Sequence, residues 1–165
     1  MGRERFHNAA MDARLRTISD RKEAHGLEDR LDAAAREMAE IHEGPAPPAG
    51  WAARWLDERL AADDSLLLVA ETAEGAADLG VLLAGGWGDP LGIERVPMVL
   101  LLSVDPRQRH RGIATGLVDR AQAILTERGH PRLAARAPHN DDARISMGER
   151  WGFVREWEVL ERGRP

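Results

Sequence analysis

The chain predicts an α/β fold in the mixed α+β sense, and three observations predict it. An unbroken apolar run, Met98-Val99-Leu100-Leu101-Leu102, is stopped by Pro106 and followed from Ile113 by apolar residues at helical spacing, which reads as a strand covered on both faces turning into a helix. Ser65 to Thr72 and Leu79 to Trp87 read as strands joined by the turn Ala73 to Asp78, an antiparallel hairpin. Ahead of the hairpin lie two stretches of helical periodicity. With 165 residues, 43% of them hydrophobic, the chain can fill one core and is too short for two ordinary domains.

The elements follow in order. Residues 1 to 12 are polar and unpatterned, and are expected to be a flexible segment ahead of a single domain over 13 to 165. Ala13 to Ser19 alternates like a half-buried strand. Leu27 to Ile41 places Leu27, Leu31, Ala34, Ala35, Met38 and Ile41 on one helical face and ends at Gly44-Pro45; Pro45 to Pro48 is a loop, and a second helix runs from Trp51 to about Ala62. After the hairpin, Gly88 to Arg95 is loop and Val96 to Val104 is a strand. The next helix carries Ile113, Leu117, Ala121, Ile124 and Leu125 on one face and stops at Arg128-Gly129, with Pro131 beyond. A strand near Arg132 to Ala137, a short helix around Asp142 to Trp151 and a closing strand from about Phe153 to Leu160 complete the chain.

Composition narrows the function. A net charge of -5 disfavours nucleic acid and acidic membranes, so an anionic ligand must be caught by a local basic patch. Residues 107 to 111 supply the best such patch. The absence of cysteine rules out disulfides, thiolate metal sites and a sulfur nucleophile. Six scattered histidines show no ligand spacing, so no metal is expected. No apolar stretch approaches a membrane span and Met1 to Phe6 lacks the apolar core of a secretion signal, so a cytoplasmic protein is expected.

The turn Val104-Asp105-Pro106-Arg107-Gln108-Arg109-His110-Arg111-Gly112-Ile113-Ala114 carries the chemistry. At the start of a helix several backbone N–H groups lack partners and the macrodipole is positive, so a bound phosphate satisfies both. A solvated arginine turn is the plainer alternative. The conjunction of strand, proline stop, three alternate arginines and a small residue at 114 favours phosphate. No G-x-x-x-x-G-K-[ST] is present, and Gly86-Trp87-Gly88 runs into Asp89-Pro90 instead of a helix, which excludes the kinase-like and dinucleotide readings.

With Arg109, Gly112 and Ala114 forming R-x-x-G-x-A after a Val-x-Pro strand end, and with Gly152-Phe153 downstream, the last two-thirds of the chain resembles the GNAT family of N-acetyltransferases. The resemblance implies a mixed, mostly antiparallel sheet splayed open where acetyl-coenzyme A enters, flanked by about four helices. It implies that the strand edge at Leu102, Ser103 and Val104 meets the pantetheine arm, and that Arg109, His110, Arg111, Gly112, Ile113 and Ala114 meet the pyrophosphate. Asn140 is assigned to the coenzyme by a one-residue shift from the family register.

Acetyl transfer to an amine requires a neutral nitrogen, a stabilised oxyanion and a protonated leaving sulfur. Deprotonating an amine of pKa about 10.4 at pH 7 costs roughly 4 to 5 kcal/mol, whereas releasing a thiol of pKa about 8.5 unprotonated costs only about 2 kcal/mol. A base therefore matters more than an acid. Family members commonly carry a tyrosine four residues before the Gly-Phe pair; here that residue is Gly148, and the chain has no tyrosine. Ser146 is the substitute acid candidate. The strand that often bears the base is apolar, which leaves Glu94, Asp89, His139 and Asp141, with Glu94 and His139 preferred; Pro138-His139-Asn140-Asp141 also reads as a helix-capping sequence. Trp51 and Trp55 lie one turn apart and are expected to pack on the sheet, with stacking on an acceptor as the other reading. Trp87 sits among Gly85, Gly86 and Gly88, where a ligand or backbone can approach closely.

The expected function is therefore acetyl-CoA-dependent transfer to a primary amine by direct attack in a ternary complex, with a small-molecule amine or a protein amino group as acceptor. A catalytically lapsed acyl-CoA-binding module and a cofactor-free interaction domain are the alternatives. No nucleic-acid or membrane partner is expected. A homodimer is compatible with exposed edge strands.

Overall fold

Alternation of side chains along the central strands explains the layering. A computed structural model of the protein describes residues 13–41, 44–61, 65–75, 78–88, 95–138 and 141–155. Its strands are β1 (Ala13–Ile18), β2 (Leu66–Thr72), β3 (Asp78–Gly88), β4 (Arg95–Val104) and β5 (Ala134–Ala135), and its helices are α1 (Arg21–His25), α2 (Glu28–Ile41), α3 (Trp51–Leu60), α4 (Ile113–Glu127) and α5 (Asp142–Arg150). The sheet order is β1-β2-β3-β4-β5; β1 to β4 are antiparallel neighbours, and β4 and β5 are parallel. On one face, Leu66, Leu68, Ala70, Leu82 and Ala84 pack against Ile113, Leu117, Ala121 and Leu125 of α4, with Trp151 and Phe153 at the margin. On the other, Leu67, Val69, Val81 and Leu83 meet Ala24, Leu31, Ala52 and Leu56 of α1, α2 and α3. Helices on both faces make β2 apolar at successive positions rather than alternate ones.

Four expectations change. Residues Leu66 to Glu71 form the strand buried throughout, whereas Met98 to Ser103, expected to be covered on both faces, are half-buried. The strand expected over Arg132 to Ala137 shrinks to Ala134–Ala135, paired only with Met98 and Val99. A further helix, α1, is capped by Asp20, whose side chain accepts from the Glu23 N–H at 3.0 Å; it buries Ala24 alone and so leaves no periodic signal. Residues 153–155 are outside any strand, and the rest of the expected closing strand lies outside the described residues, as do residues 1–12.

Candidate coenzyme site

The site begins where the sheet loses its regularity. Leu83 pairs with Leu101 but Ala84 pairs with Val99, so Leu100 is an extra residue that bends β4. Gly85 makes room for it: a Cβ there would stand 3.0 Å from Leu100 Cδ1. On its other side β4 is paired with β5 only at Met98 and Val99, and from Leu100 to Val104 it runs on without that neighbour. The two parallel strands thus part as β4 approaches the turn. An extended chain lying in that opening would find main-chain donors and acceptors along the β4 edge.

The opening leads to the turn. Asp105 is fixed through its N–H to the Leu79 carbonyl at 2.9 Å, and its side chain accepts from the Arg107 N–H at 2.8 Å, starting a single 3-10 turn over Pro106–Gln108. His110 (φ 63°) and Gly112 (φ 80°) are both left-handed, which swings the chain into α4. Gly112 is the N-cap and has no side chain with which to cap, so the first-turn N–H groups of α4 face outward without a side-chain acceptor. Buried Ile113 anchors that turn, and Gly80 beneath it permits close approach: a Cβ on Gly80 would lie 3.1 Å from the Ser103 carbonyl oxygen and 3.2 Å from Ile113 Cγ2.

The charged side chains divide into two sets. Arg107, His110 and Arg111 are exposed. Arg109 is engaged: its Nε donates to the Val104 carbonyl at 3.2 Å, and its Nη2 donates to both carboxylate oxygens of Glu37 at 2.8 and 2.7 Å. The guanidinium thus staples the turn to the end of β4 and to α2, and leaves the main-chain N–H groups at the start of α4 without a side-chain cap. Glu37 lies 72 residues from its partner and looks like any surface charge of an amphipathic helix, so only folding reveals it.

Of the residues expected to act in catalysis, together with Asn140 expected at the coenzyme, the structure describes Ser146 and Asp141. Glu94, Asp89, His139 and Asn140 lie outside the described residues. Ser146 is exposed on α5. Asp141 is the N-cap of α5, accepting from the Arg144 N–H at 3.0 Å and from Arg144 Nη1 at 2.7 Å, which is the capping role its sequence context suggested. At the other end of α5, Gly152 (φ 87°) and Phe153 close the helix with paired bonds from the Gly152 N–H to Glu149 and from the Phe153 N–H to Gly148. The Gly-Phe pair is thus a helix stop. Trp151 Nε1 donates to Thr115 Oγ1 at 2.9 Å and ties α5 to α4 beside the site. Trp51 and Trp55 stack on each other at 5.1 Å and pack against the α1 to α3 face of the core.

Two other features lie apart from the turn. A cavity of about 270 Å³, lined in part by Ile18, Arg21, Ser65, Leu67 and Arg128, opens where β1 ends and α4 stops, at the far end of the sheet. On the helical face, His25 contacts Glu28 through Nδ1 at 2.6 Å and Asp57 through Nε2 at 3.3 Å. Glu28 is the main cause of a His25 pKa raised above the ordinary value. Among the described residues, no cluster of His, Asp and Glu could hold a metal ion, and no helix is long and apolar enough to cross a membrane.

A bent strand, a parting of parallel neighbours and a helix start without a side-chain cap together form an open sheet edge that leads to the N-terminus of α4. The family follows from comparison with known proteins. The model of the acetyltransferase (GNAT) family matches residues 32–153, and the chain belongs to that family. It is 31% identical over 109 residues to Acetyltransferase SG1711 of Sodalis glossinidius (strain morsitans), covering 66% of this chain and 71% of that protein. Its fold is similar to that of the aminoglycoside N-acetyltransferase AAC(6')-Iy in complex with the bisubstrate analogue CoA-S-monomethyl-acetylneamine, at TM-score 0.71, 18% identity, and coverage of 94% of this chain and 100% of the other. It is also similar to ribosomal-protein-alanine N-acetyltransferase from Brucella melitensis biovar Abortus 2308, at TM-score 0.67, 17% identity, and coverage of 93% and 99%.

Proposed function

We propose that the protein transfers an acetyl group from acetyl-CoA to a primary amine by direct attack in a ternary complex. The observation that carries this reading is the parting of β4 from β5 past Val99 and Ala135, which leads along the β4 edge to the uncapped start of α4. The residues present suit the co-substrate. The edge at Leu102, Ser103 and Val104 offers strand-like hydrogen bonds to an amide-containing arm, and the N–H groups around Gly112, Ile113 and Ala114, with Arg111 and His110 beside them, suit a diphosphate. Bound acetyl-CoA would supply the activated acyl group.

The chain's own contribution is positional and electrostatic. Main-chain N–H groups on the open edge between Leu100 and Val104 are candidates to receive the charge that develops on the thioester oxygen. With no cysteine in the sequence, no covalent sulfur relay is available, which is consistent with direct attack by the amine. Glu94 or His139 is our candidate base, acting directly or through water, and Ser146 is the candidate acid. Solved neighbours whose names specify an aminoglycoside or a ribosomal-protein alanine as acceptor support an amine acceptor of either kind for this chain. A thiol-release assay tests the proposal, since this cysteine-free protein contributes no background. Turnover with at least one member of a panel of aminoglycosides, polyamines and peptide N-termini is expected. Gly148 at the position where relatives commonly carry tyrosine favours a second reading, a module that binds acyl-CoA without turning it over. Coenzyme binding with no thiol release across the panel would select that reading.

A further inference from the structure

We infer that Glu37 is a positioning residue for the coenzyme's diphosphate, acting from α2 through Arg109; the inference rests on the acetyl-CoA reading above. Arg109 opens the R-x-x-G-x-A segment, and its Nε and Nη2 donate to three protein oxygens, the Val104 carbonyl and both oxygens of the Glu37 carboxylate, which offsets its charge. A cation neutralised in this way is a poor phosphate ligand. What it does instead is hold the turn. Between Arg109 and α4 the backbone passes through two left-handed residues, His110 and Gly112, and for a histidine that conformation persists only where its surroundings enforce it. The enforcement comes from both ends. Ile113 is buried in the core on the far side, and on the near side the Arg109 side chain spans from the end of β4 to α2.

Removing the Glu37 carboxylate leaves the Val104 bond but frees Nη2 from its two charge-assisted bonds. The turn then samples other backbone angles, and its N–H groups no longer converge before the diphosphate arrives. The loss falls on coenzyme affinity. Because Glu37 is on the helical layer that covers the opposite face from α4, the same contact makes ordering of the turn and seating of α2 one event.

The test is a double-mutant cycle on the whole protein. Acetyl-CoA binding is measured by calorimetry, and its KM and kcat by thiol release, for Glu37→Ala, Glu37→Gln, Arg109→Ala and Glu37→Ala/Arg109→Ala. Because both side chains are part-exposed, the expected loss is modest: KM for acetyl-CoA rises about 5- to 10-fold in Glu37→Ala with kcat within about 2-fold. Glu37→Gln, which keeps one acceptor oxygen, recovers part of the loss. The double variant binds no worse than Arg109→Ala alone. If Arg109 instead bound phosphate itself, Glu37→Ala would bind acetyl-CoA more tightly than wild type, because the guanidinium would no longer be neutralised, while Arg109→Ala would bind it more weakly; that pattern overturns the inference. Wild-type protein that binds acetyl-CoA while Glu37→Ala binds it equally well also overturns it. Wild-type protein that does not bind acetyl-CoA at all defeats the functional reading on which both stand.

Discussion

Replacing Gly112 separates backbone strain from electrostatics, because alanine and aspartate perturb the turn in different ways. Gly112 has φ 80° and ψ 1°, a conformation that costs an ordinary L-residue about 1 to 2 kcal/mol. Gly112→Ala incurs that cost, and for a domain of this size the melting temperature should fall by about 3 to 6 °C. Gly112→Asp incurs less, since aspartate tolerates the left-handed region better and its charge suits a helix start, by roughly 0.3 to 1 kcal/mol. Its effect on the ligand runs the other way. A carboxylate about 5 Å from a phosphate charge, at an effective dielectric constant of roughly 40, repels it by about 1.7 kcal/mol, or about 3 kcal/mol for the two charges of a diphosphate. That is at least about a 100-fold loss of acetyl-CoA affinity. Calorimetric titration of both variants with acetyl-CoA, beside thermal unfolding, gives the two readouts. The more stable variant should be the weaker binder. If Gly112→Asp binds within about threefold of wild type, or if Gly112→Ala is equally impaired, the diphosphate does not sit at the α4 N-terminus.

Gly80→Ala should weaken both stability, by about 1 to 2 kcal/mol, and coenzyme affinity, because its Cβ presses on the Ser103 carbonyl and on Ile113, the first residue of α4; denaturant unfolding and calorimetry measure the two effects. Gly148→Ala should stabilise the protein by about 0.5 to 1 kcal/mol in denaturant titration, since among the described residues a Cβ there meets only Phe153 Cβ at 3.9 Å and helical glycine costs entropy; a loss of stability would contradict this. His25 bonds carboxylates through both ring nitrogens, which only the protonated ring satisfies, and its folded pKa is raised above 6.5, chiefly by Glu28. Its contribution is therefore complete below the unfolded value of about 6.5 and is lost as pH rises through the folded value. The melting-temperature advantage of wild type over His25→Gln should shrink as pH rises above about 6.5, and a pH-independent difference would exclude the imidazolium as its source.

The turn from β4 into α4 was legible in the sequence because its constraints are local. Pro106 stops a strand, Gly112 alone suits the left-handed N-cap, and the apolar period from Ile113 marks α4. β2, β3, β4, α2 and α3 were legible for the same reason, being set by period and punctuation. β5 and α1 were not. Ala134–Ala135 pairs through two residues and carries no alternation, and α1 is fixed by Asp20 rather than by an apolar stripe.

By itself, then, the amino-acid order determined most of the elements, the absence of a sulfur nucleophile and the glycine-capped turn into α4, since each depends on composition or on neighbours within a few positions. Tertiary structure alone decided that β4 bends at Leu100 and leaves β5, that the run at 98–103 borders an opening instead of a sealed core, and that Arg109 answers to Glu37. Those depend on pairing register and on contacts between residues far apart in the chain, where neither periodicity nor composition leaves a trace.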